Sequence, residues 1–261
     1  MQCIILCAGF ATRLHPLTLD RPKHLLPVAG RPMLDHLLDR LADAKIETAW
    51  LVTNHRFASV FSEWLGGGDH TVHVSLLDDG TETNETRLGS IGDLRFALDS
   101  GEIRDDFAVL NGDNLFTFSL VPVIESFRKR GNTIGLFDVG SKAVASRMGH
   151  ATCDAEGRVV KFVEKPKNPP DTLASIGIYV YQRQVRELVN RYLAEGNSAD
   201  RTGDFVAWLH KQVPVYAHAI TADAGVWYDI GSFDQYQDAN RAFGGESIDA
   251  TQLSSAGATG I

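Results

Sequence analysis

The sequence predicts an α/β fold, a mixed and mostly parallel sheet with helices on both faces, extended by a small antiparallel lobe. Three observations carry this expectation. Short apolar runs alternate with amphipathic stretches of helical period through the first half of the chain, as strands and helices of a parallel sheet do. After about residue 132 the pattern changes to strand-like runs with little helix between them. A chain of 261 residues suits one large domain, or one domain with an appended lobe.

The elements follow in order. Residues 3–7 form a continuous apolar run, the pattern of a strand covered on both faces. After a polar loop, Met33, Leu34, Leu37, Leu38, Leu41 and Ala42 recur at helical spacing, giving a helix that reaches residue 44. A strand at 49–53 is followed by a helix at 58–65 stopped by Gly66-Gly67-Gly68, and then by a strand at 72–77. A helix at 91–98, a strand at 107–110 and a helix at 120–130 complete the alternation. The later strands are expected at 133–139, 149–154, 158–163 and 174–181, with hairpin-turn chemistry in Asp154-Ala155-Glu156-Gly157. Helices return at 184–194, 203–212 and 233–243. From Gly244 the composition turns to Gly, Ser, Ala and Thr, so residues 244–261 are expected to form a flexible tail beyond a domain of residues 1–243. Its halves are 1–131 and 132–243.

Composition narrows the function classes. The chain has 44% hydrophobic and 22% charged residues, ordinary for a globular protein. Its longest apolar run, residues 3–11, falls far short of the roughly 20 residues of a membrane-spanning helix. The first residues lack the basic segment of a secretory signal, and a cytoplasmic location is the expectation. With 25 Lys and Arg against 33 Asp and Glu, the net charge of −8 argues against a nucleic-acid backbone as partner. Cys3, Cys7 and Cys153 read as buried small hydrophobes, and the nine histidines show no zinc-site spacing.

Ligands of open α/β sheets bind beyond the carboxyl ends of the strands. The loop after the first strand carries Arg13, Arg21, Lys23 and Arg31 against Asp20, a local charge of +3 between residues 11 and 31. Small residues beside basic side chains can hold phosphate through backbone N–H groups and cations. Taken alone, the segment reads equally as a solvated surface loop. Neither a P-loop nor a dinucleotide-binding glycine pattern is present.

Leu6-Cys7-Ala8-Gly9-Phe10-Ala11-Thr12-Arg13-Leu14, Pro22-Lys23-His24-Leu25-Leu26-Pro27 and Arg31-Pro32-Met33 together resemble the signature of the sugar-1-phosphate nucleotidylyltransferases. Four later stretches resemble the same family in the same order: Leu88-Gly89-Ser90-Ile91-Gly92, Gly112-Asp113, the group Gly149, Glu164-Lys165-Pro166 and Ser175-Ile176-Gly177, and Trp227-Tyr228-Asp229-Ile230-Gly231-Ser232. The likeness covers roughly residues 2–243. It implies a Rossmann-like, GT-A-like fold with a nucleotide-binding half (1–131) and a sugar-phosphate-binding half (132–243).

The reaction so implied is Mg²⁺-dependent transfer of a nucleotidyl group from a nucleoside triphosphate to a sugar 1-phosphate, releasing pyrophosphate. The resemblance assigns catalysis to Arg13, Lys23 and Asp113. It assigns nucleotide binding to Leu6, Ala8, Gly9, Phe10, Ala11, Thr12, Arg13, Lys23, Asn84, Gly89 and Gly112. Sugar-phosphate binding falls to Gly149, Glu164, Lys165 and Gly177, and a metal site to Asp113 and Asp229. Each has a plainer reading: Asp113 a turn residue, Glu164 and Lys165 a surface ion pair, the glycines turns alone. Two departures stand out. Ala11 replaces a glycine, tolerable if its φ stays negative, and His24 occupies a variable position. Two other readings remain open, a cytidylyltransferase acting on a phosphorylated alcohol such as phosphocholine, and a catalytically silent nucleotide-sugar sensor. No nucleic acid or membrane partner is expected, a homo-oligomer is among the expectations, and no appended second enzyme is.

Overall fold

The structure is a computed structural model and describes residues 1–246. In chain order the elements are β1 (Gln2–Leu6), the hairpin strands β2 (Pro27–Val28) and β3 (Arg31–Pro32), α1 (Met33–Asp43), β4 (Thr48–Thr53), α2 (His55–Gly67), β5 (His73–Asp78), α3 (Ser90–Ser100), β6 (Phe107–Asn111), β7 (Asn114–Phe116), α4 (Val121–Arg130) and β8 (Thr133–Asp138). There follow α5 (Lys142–Ala145), β9 (Gly149–Cys153), β10 (Val159–Glu164), β11 (Leu173–Tyr181), α6 (Val185–Ala194), α7 (Thr202–Leu209), β12 (Tyr216–Ile220), β13 (Trp227–Asp229) and α8 (Phe233–Ala242).

Seven strands of a nine-stranded sheet run in the order β10-β9-β11-β6-β1-β4-β5, and β8, paired with β11, carries β12 at its other side. β1 lies parallel to both β4 and β6, while β11 runs antiparallel to β6. The second half of the chain thus extends the same sheet edge to edge. Strand β12 is not among the strands expected from the sequence; it pairs parallel with β8.

The alternation of β1 explains the layers. Cys3, Ile5 and Cys7 face one apolar core, which holds the buried leucines of α1 and the buried apolar residues of α2 and α4. Ile4 and Leu6 face the other, which holds those of α3, α6 and α7. The pairing of Cys3 and Cys7 on one face and their complete burial agree with their reading as small hydrophobes, whereas Cys153 is partly exposed. Helix α2 continues through Gly67, past the glycine expected to stop it, and its start is fixed by Asn54, whose side chain accepts from the Phe57 amide. Among the described residues no helix is long and apolar enough to cross a membrane. Most of the expected tail, residues 247–261, lies outside the described residues.

The sheet reverses its direction of growth at β1, so the loops after β1 and β6 flank one crevice.

Candidate active site

The loop after β1 is pinned before it reaches solvent. Asn54, fully buried, donates through Nδ2 to the Ala8 carbonyl at 2.9 Å, so the residue that caps α2 also fixes the start of the loop. At Ala11 the backbone turns left-handed, with φ 48° and ψ 38°. The expectation of a negative φ there is overturned. The Ala11 carbonyl accepts from the Leu14 amide at 3.0 Å and from Thr18 Oγ1 at 2.9 Å, and Leu14 is buried in a third apolar cluster with Leu26, Met33 and Ile230. These contacts impose a conformation that costs an L-residue about 1–2 kcal/mol. The turn Thr12–Leu14 then carries Arg13 outward, where its guanidinium lies beside Gly231.

Lys23 opens the next turn, Lys23–Leu25, and is buried. Its Nζ donates to Asp113 Oδ2 at 2.7 Å and to the Ile230 carbonyl at 3.3 Å. One ammonium thus joins the loops after β1, β6 and β13. Burial opposes ionisation of Asp113, but the charge and hydrogen bond of Lys23 outweigh it and hold this carboxyl below the usual carboxylate range.

Asp229 arrives from the far end of the chain. The two-stranded sheet of β7 and β13 sets Asp229 opposite Asn114, next to Asp113. Asn114 is buried and bridges both sides, accepting from Trp227 Nε1 at 3.0 Å and donating to the Ile176 carbonyl at 2.6 Å. Burial, and then the charge of Asp113, push Asp229 up to about 6, against the opposing pull of Lys23, Arg13 and Lys165. Two carboxylates and three cations converge here. Among the described residues no cluster of three or more His, Cys, Asp or Glu side chains forms a ready-made metal cage. A pair of hard carboxylates, of which Asp113 raises the proton affinity of Asp229, nevertheless suits an ion such as Mg²⁺, which takes one or two carboxylates and completes its shell with phosphate and water.

Two cavities open from this point. The larger, about 320 Å³, is lined by Leu6, Ala8, Gly9, Phe10, Ala11, Thr12, Arg13, Lys23, Asn84 and Gly89, all of them expected nucleotide residues. Gly89 has φ 80°, and a Cβ there would lie 2.6 Å from the Ala199 carbonyl oxygen. Gly112 does not line the cavity. Its amide donates to the Leu6 carbonyl, and a Cβ would meet Cys7 Sγ at 2.3 Å, so its smallness serves the packing of β6 against β1. His24 lies beneath, its imidazole held neutral mainly by burial, against Phe61.

The smaller cavity, about 180 Å³, is lined by Gly149, Glu164, Lys165 and Gly177, with Asp113 and Asp229 at its inner end. Gly177, at φ 73°, sits at a register shift in β11, and a Cβ would come within 2.5 Å of Asn111 Nδ2. Glu164 lies against Gly203, where a Cβ would overlap its carboxylate, and burial raises its proton affinity. Lys165 has φ 51°, and its amide is held by the Met148 carbonyl.

The sequence reading missed several wall residues. Asn111 lines both cavities, Arg147 and Tyr179 the smaller one, and Arg87, Asp93 and Asp200 the larger. Arg147 precedes the Gly149 stretch by two residues and could have been found from its charge. Asp93 and Asp200 had no signal, because acids in a helix and a loop ordinarily face water.

A sheet with its crevice at a reversal point, two adjoining polar cavities, and cations and carboxylates meeting between them define a class of α/β protein with room for two small polar ligands side by side. The chain belongs to the nucleotidyl transferase family, whose model matches residues 2–245. The mannose-1-phosphate guanylyltransferase of Mycobacterium tuberculosis is 31% identical over 90% of this chain and 62% of its own length. The UTP--glucose-1-phosphate uridylyltransferase of Synechocystis is 27% identical over 97% of this chain and 66% of its own length. A Bacillus anthracis protein solved with sucrose, and provisionally named a glucose-1-phosphate thymidylyltransferase, matches 94% of this chain and all of its own chain with TM-score 0.78 and 27% identity. The chain spans between 51% and 66% of the length of the curated relatives it matches.

Proposed function

We propose that the protein transfers a nucleotidyl group from a nucleoside triphosphate to a sugar 1-phosphate. The observation that carries the reading is that Asn111 and Asp113 line both cavities, so occupants of the two would meet at one point beside Lys23. The triphosphate occupies the larger cavity, with its phosphates toward the Gly9 to Arg13 loop. The sugar phosphate occupies the smaller one, its phosphate against Lys165 and Arg147 and a sugar hydroxyl on Glu164. An oxygen of the sugar phosphate attacks the α-phosphorus, the bond to the bridging β-phosphate oxygen breaks, and pyrophosphate leaves. The nucleophile is already an anion, so no general base is needed. The work of the chain is to hold two anions in line and neutralise the charge that gathers between them.

Lys23 stands at the reacting centre, and Arg13, a planar donor, suits the leaving phosphates. Asp113 and Asp229 would hold Mg²⁺, which when bound screens the phosphate oxygens and orients them. The names of the relatives above agree in joining a nucleotide to a sugar phosphate while differing in base and sugar. Incubating the protein and Mg²⁺ with a panel of nucleoside triphosphates and sugar 1-phosphates, and following pyrophosphate, tests the reading. Release that requires both substrates supports it. No release from any pair refutes it, and binding of a nucleotide sugar without turnover would point to a sensor instead.

A further inference from the structure

Two residues, Asn111 and Asp113, line both cavities, and only Asp113 has a role in the reaction above. Asp113 is held by the Lys23 ammonium. Asn111, the last residue of β6, makes no side-chain hydrogen bond among the described residues. Its Oδ1 is buried without a donor, although a buried amide oxygen left unmatched opposes folding. An unmatched amide where two substrates would meet asks for a functional reason.

The neighbours show how this amide is placed. Gly177 of β11, at φ 73°, lies directly against it, since a Cβ there would come within 2.5 Å of Asn111 Nδ2. The absent side chain of Gly177 is the space that the Asn111 amide occupies. Asn114 lies alongside, 2.7 Å from the same point through its own Nδ2, but its amide is committed to Trp227 Nε1 and the Ile176 carbonyl. The Asn111 side chain is therefore packed in place without being bonded there. Oδ1 is its enclosed atom; Asn111 as a whole is partly exposed, and Nδ2 is the amide atom left to reach the cavities. Phosphate oxygens only accept, so a free N–H donor is the group that matches the contents of both cavities.

We propose that Asn111 is a catalytic residue of the transfer: its Nδ2 donates to a non-bridging oxygen of the α-phosphoryl group as that group passes from pyrophosphate to the sugar phosphate. The inference rests on the reading of the two cavities as the triphosphate and sugar-phosphate sites. The acceptor oxygen bonds to phosphorus and the bond to the bridging oxygen of pyrophosphate breaks, while the amide keeps its protons throughout. Negative charge is spread over the equatorial oxygens at that stage, and a fixed neutral donor stabilises them at no cost in reorganisation. Base and sugar lie away from the junction, so loss of the donor slows the chemical step and leaves the binding of each substrate nearly intact.

The test uses the whole chain with Mg²⁺ and the pair giving fastest pyrophosphate release among CTP, GTP, ATP, UTP and dTTP with mannose, glucose or N-acetylglucosamine 1-phosphate. Asn111→Leu keeps the branched shape without the donor, and Asn111→Ala demands no extra room. Asn111→Asp keeps the shape but turns a carboxylate toward phosphate. Turnover should fall about 10²-fold in the first two variants and further in the third. For the Leu and Ala variants, calorimetric affinity for the triphosphate alone and KM for the sugar 1-phosphate should stay within about threefold of wild type. Asn111→Leu should melt no lower than wild type, because it removes a buried acceptor that has no donor.

An Asn111→Leu or Asn111→Ala protein that keeps more than about a third of wild-type turnover overturns the inference, as does a loss confined to KM or to triphosphate affinity. A fall in turnover matched in both variants by an equal fall in folded protein, read by circular dichroism, would make Asn111 structural and overturn it too. Each of these outcomes leaves the transfer reaction standing. No pyrophosphate from the wild-type protein with any pair would refute the transfer, and this inference with it.

Discussion

Replacing Lys23 with alanine tests the centre of the site in two independent ways. The ammonium lies 2.7 Å from Asp113 Oδ2 and 3.3 Å from the carbonyl of Ile230, the residue after Asp229. Its removal leaves two neighbouring carboxyls without that cation. At an effective dielectric of about 20, a pair at 2.7 Å attracts by roughly 6 kcal/mol before desolvation is counted. Breaking a buried pair typically costs about 3–5 kcal/mol, and since 28% of the Asp113 side chain is exposed, about 2–4 kcal/mol is the expected loss near pH 8. The buried ion pair thus gives Lys23→Ala a folding cost beside its effect on turnover. The sign follows from Asp113. Its folded pKa is lowered, so the stability from the pair is present above the ordinary carboxylate range and lost as pH falls through the lowered value. Urea unfolding should therefore show the widest gap between wild type and variant at pH 7–8, closing in acid. Pyrophosphate release at a temperature where the variant is folded should fall about 10²–10⁴-fold. A variant as stable as wild type at pH 8, with more than half its turnover, would refute both the ion pair and the catalytic placement.

Other substitutions separate stability from chemistry. Because the folded pKa of Asp229 is raised to about 6, its ionisation opposes folding as pH rises past that value. Asp229→Asn should then unfold at higher temperature than wild type at pH 8, by roughly 1–3 kcal/mol, with little difference near pH 4. The same variant should lose at least about 10²-fold in Mg²⁺-dependent turnover while binding triphosphate within severalfold, as Asp113→Asn should; full activity in either, by pyrophosphate assay, removes the metal from the mechanism. Gly177→Ala places a methyl against Asn111 and Asn114 at a positive φ, and a loss of about 2–4 kcal/mol in denaturant unfolding is expected. Ala11→Gly relieves the left-handed alanine and should stabilise by up to about 1 kcal/mol or be neutral, and clear destabilisation in a thermal melt would contradict the observed φ.

Much of the scaffold was legible because it is local. Every long apolar run became a strand or a helix within a few residues of its expected bounds, from the residues 3–7 that gave β1 (Gln2–Leu6) to the residues 174–181 that gave β11 (Leu173–Tyr181). Burial of alternating or helically spaced side chains is set by the chain's own period, so a single sequence carries it. The short pieces were not legible. Strands β7 and β13 have three residues each, and α5 has four, too few to show a period.

The loops of the site were legible for a different reason. Arg13, Lys23, Asp113, Lys165 and Asp229 are charged residues next to strand ends or turns, in an order that resembles a known family. Residue type and neighbourhood determine what each can do. What the sequence could not determine is which of them meet, because each contact joins segments that lie far apart along the chain and leaves no local mark. The pairing of β13 with β7 brings Asp229 next to Asp113, and the burial of Lys23 makes its ammonium their counter-ion. The burial of Asp93, with the Asp79 charge beside it, raises the proton affinity of what would otherwise be an ordinary helical acid. Sequence sets the charges and periods; tertiary packing sets the distances and the exclusion of water, and those two quantities decide protonation, metal affinity and which substrates can meet.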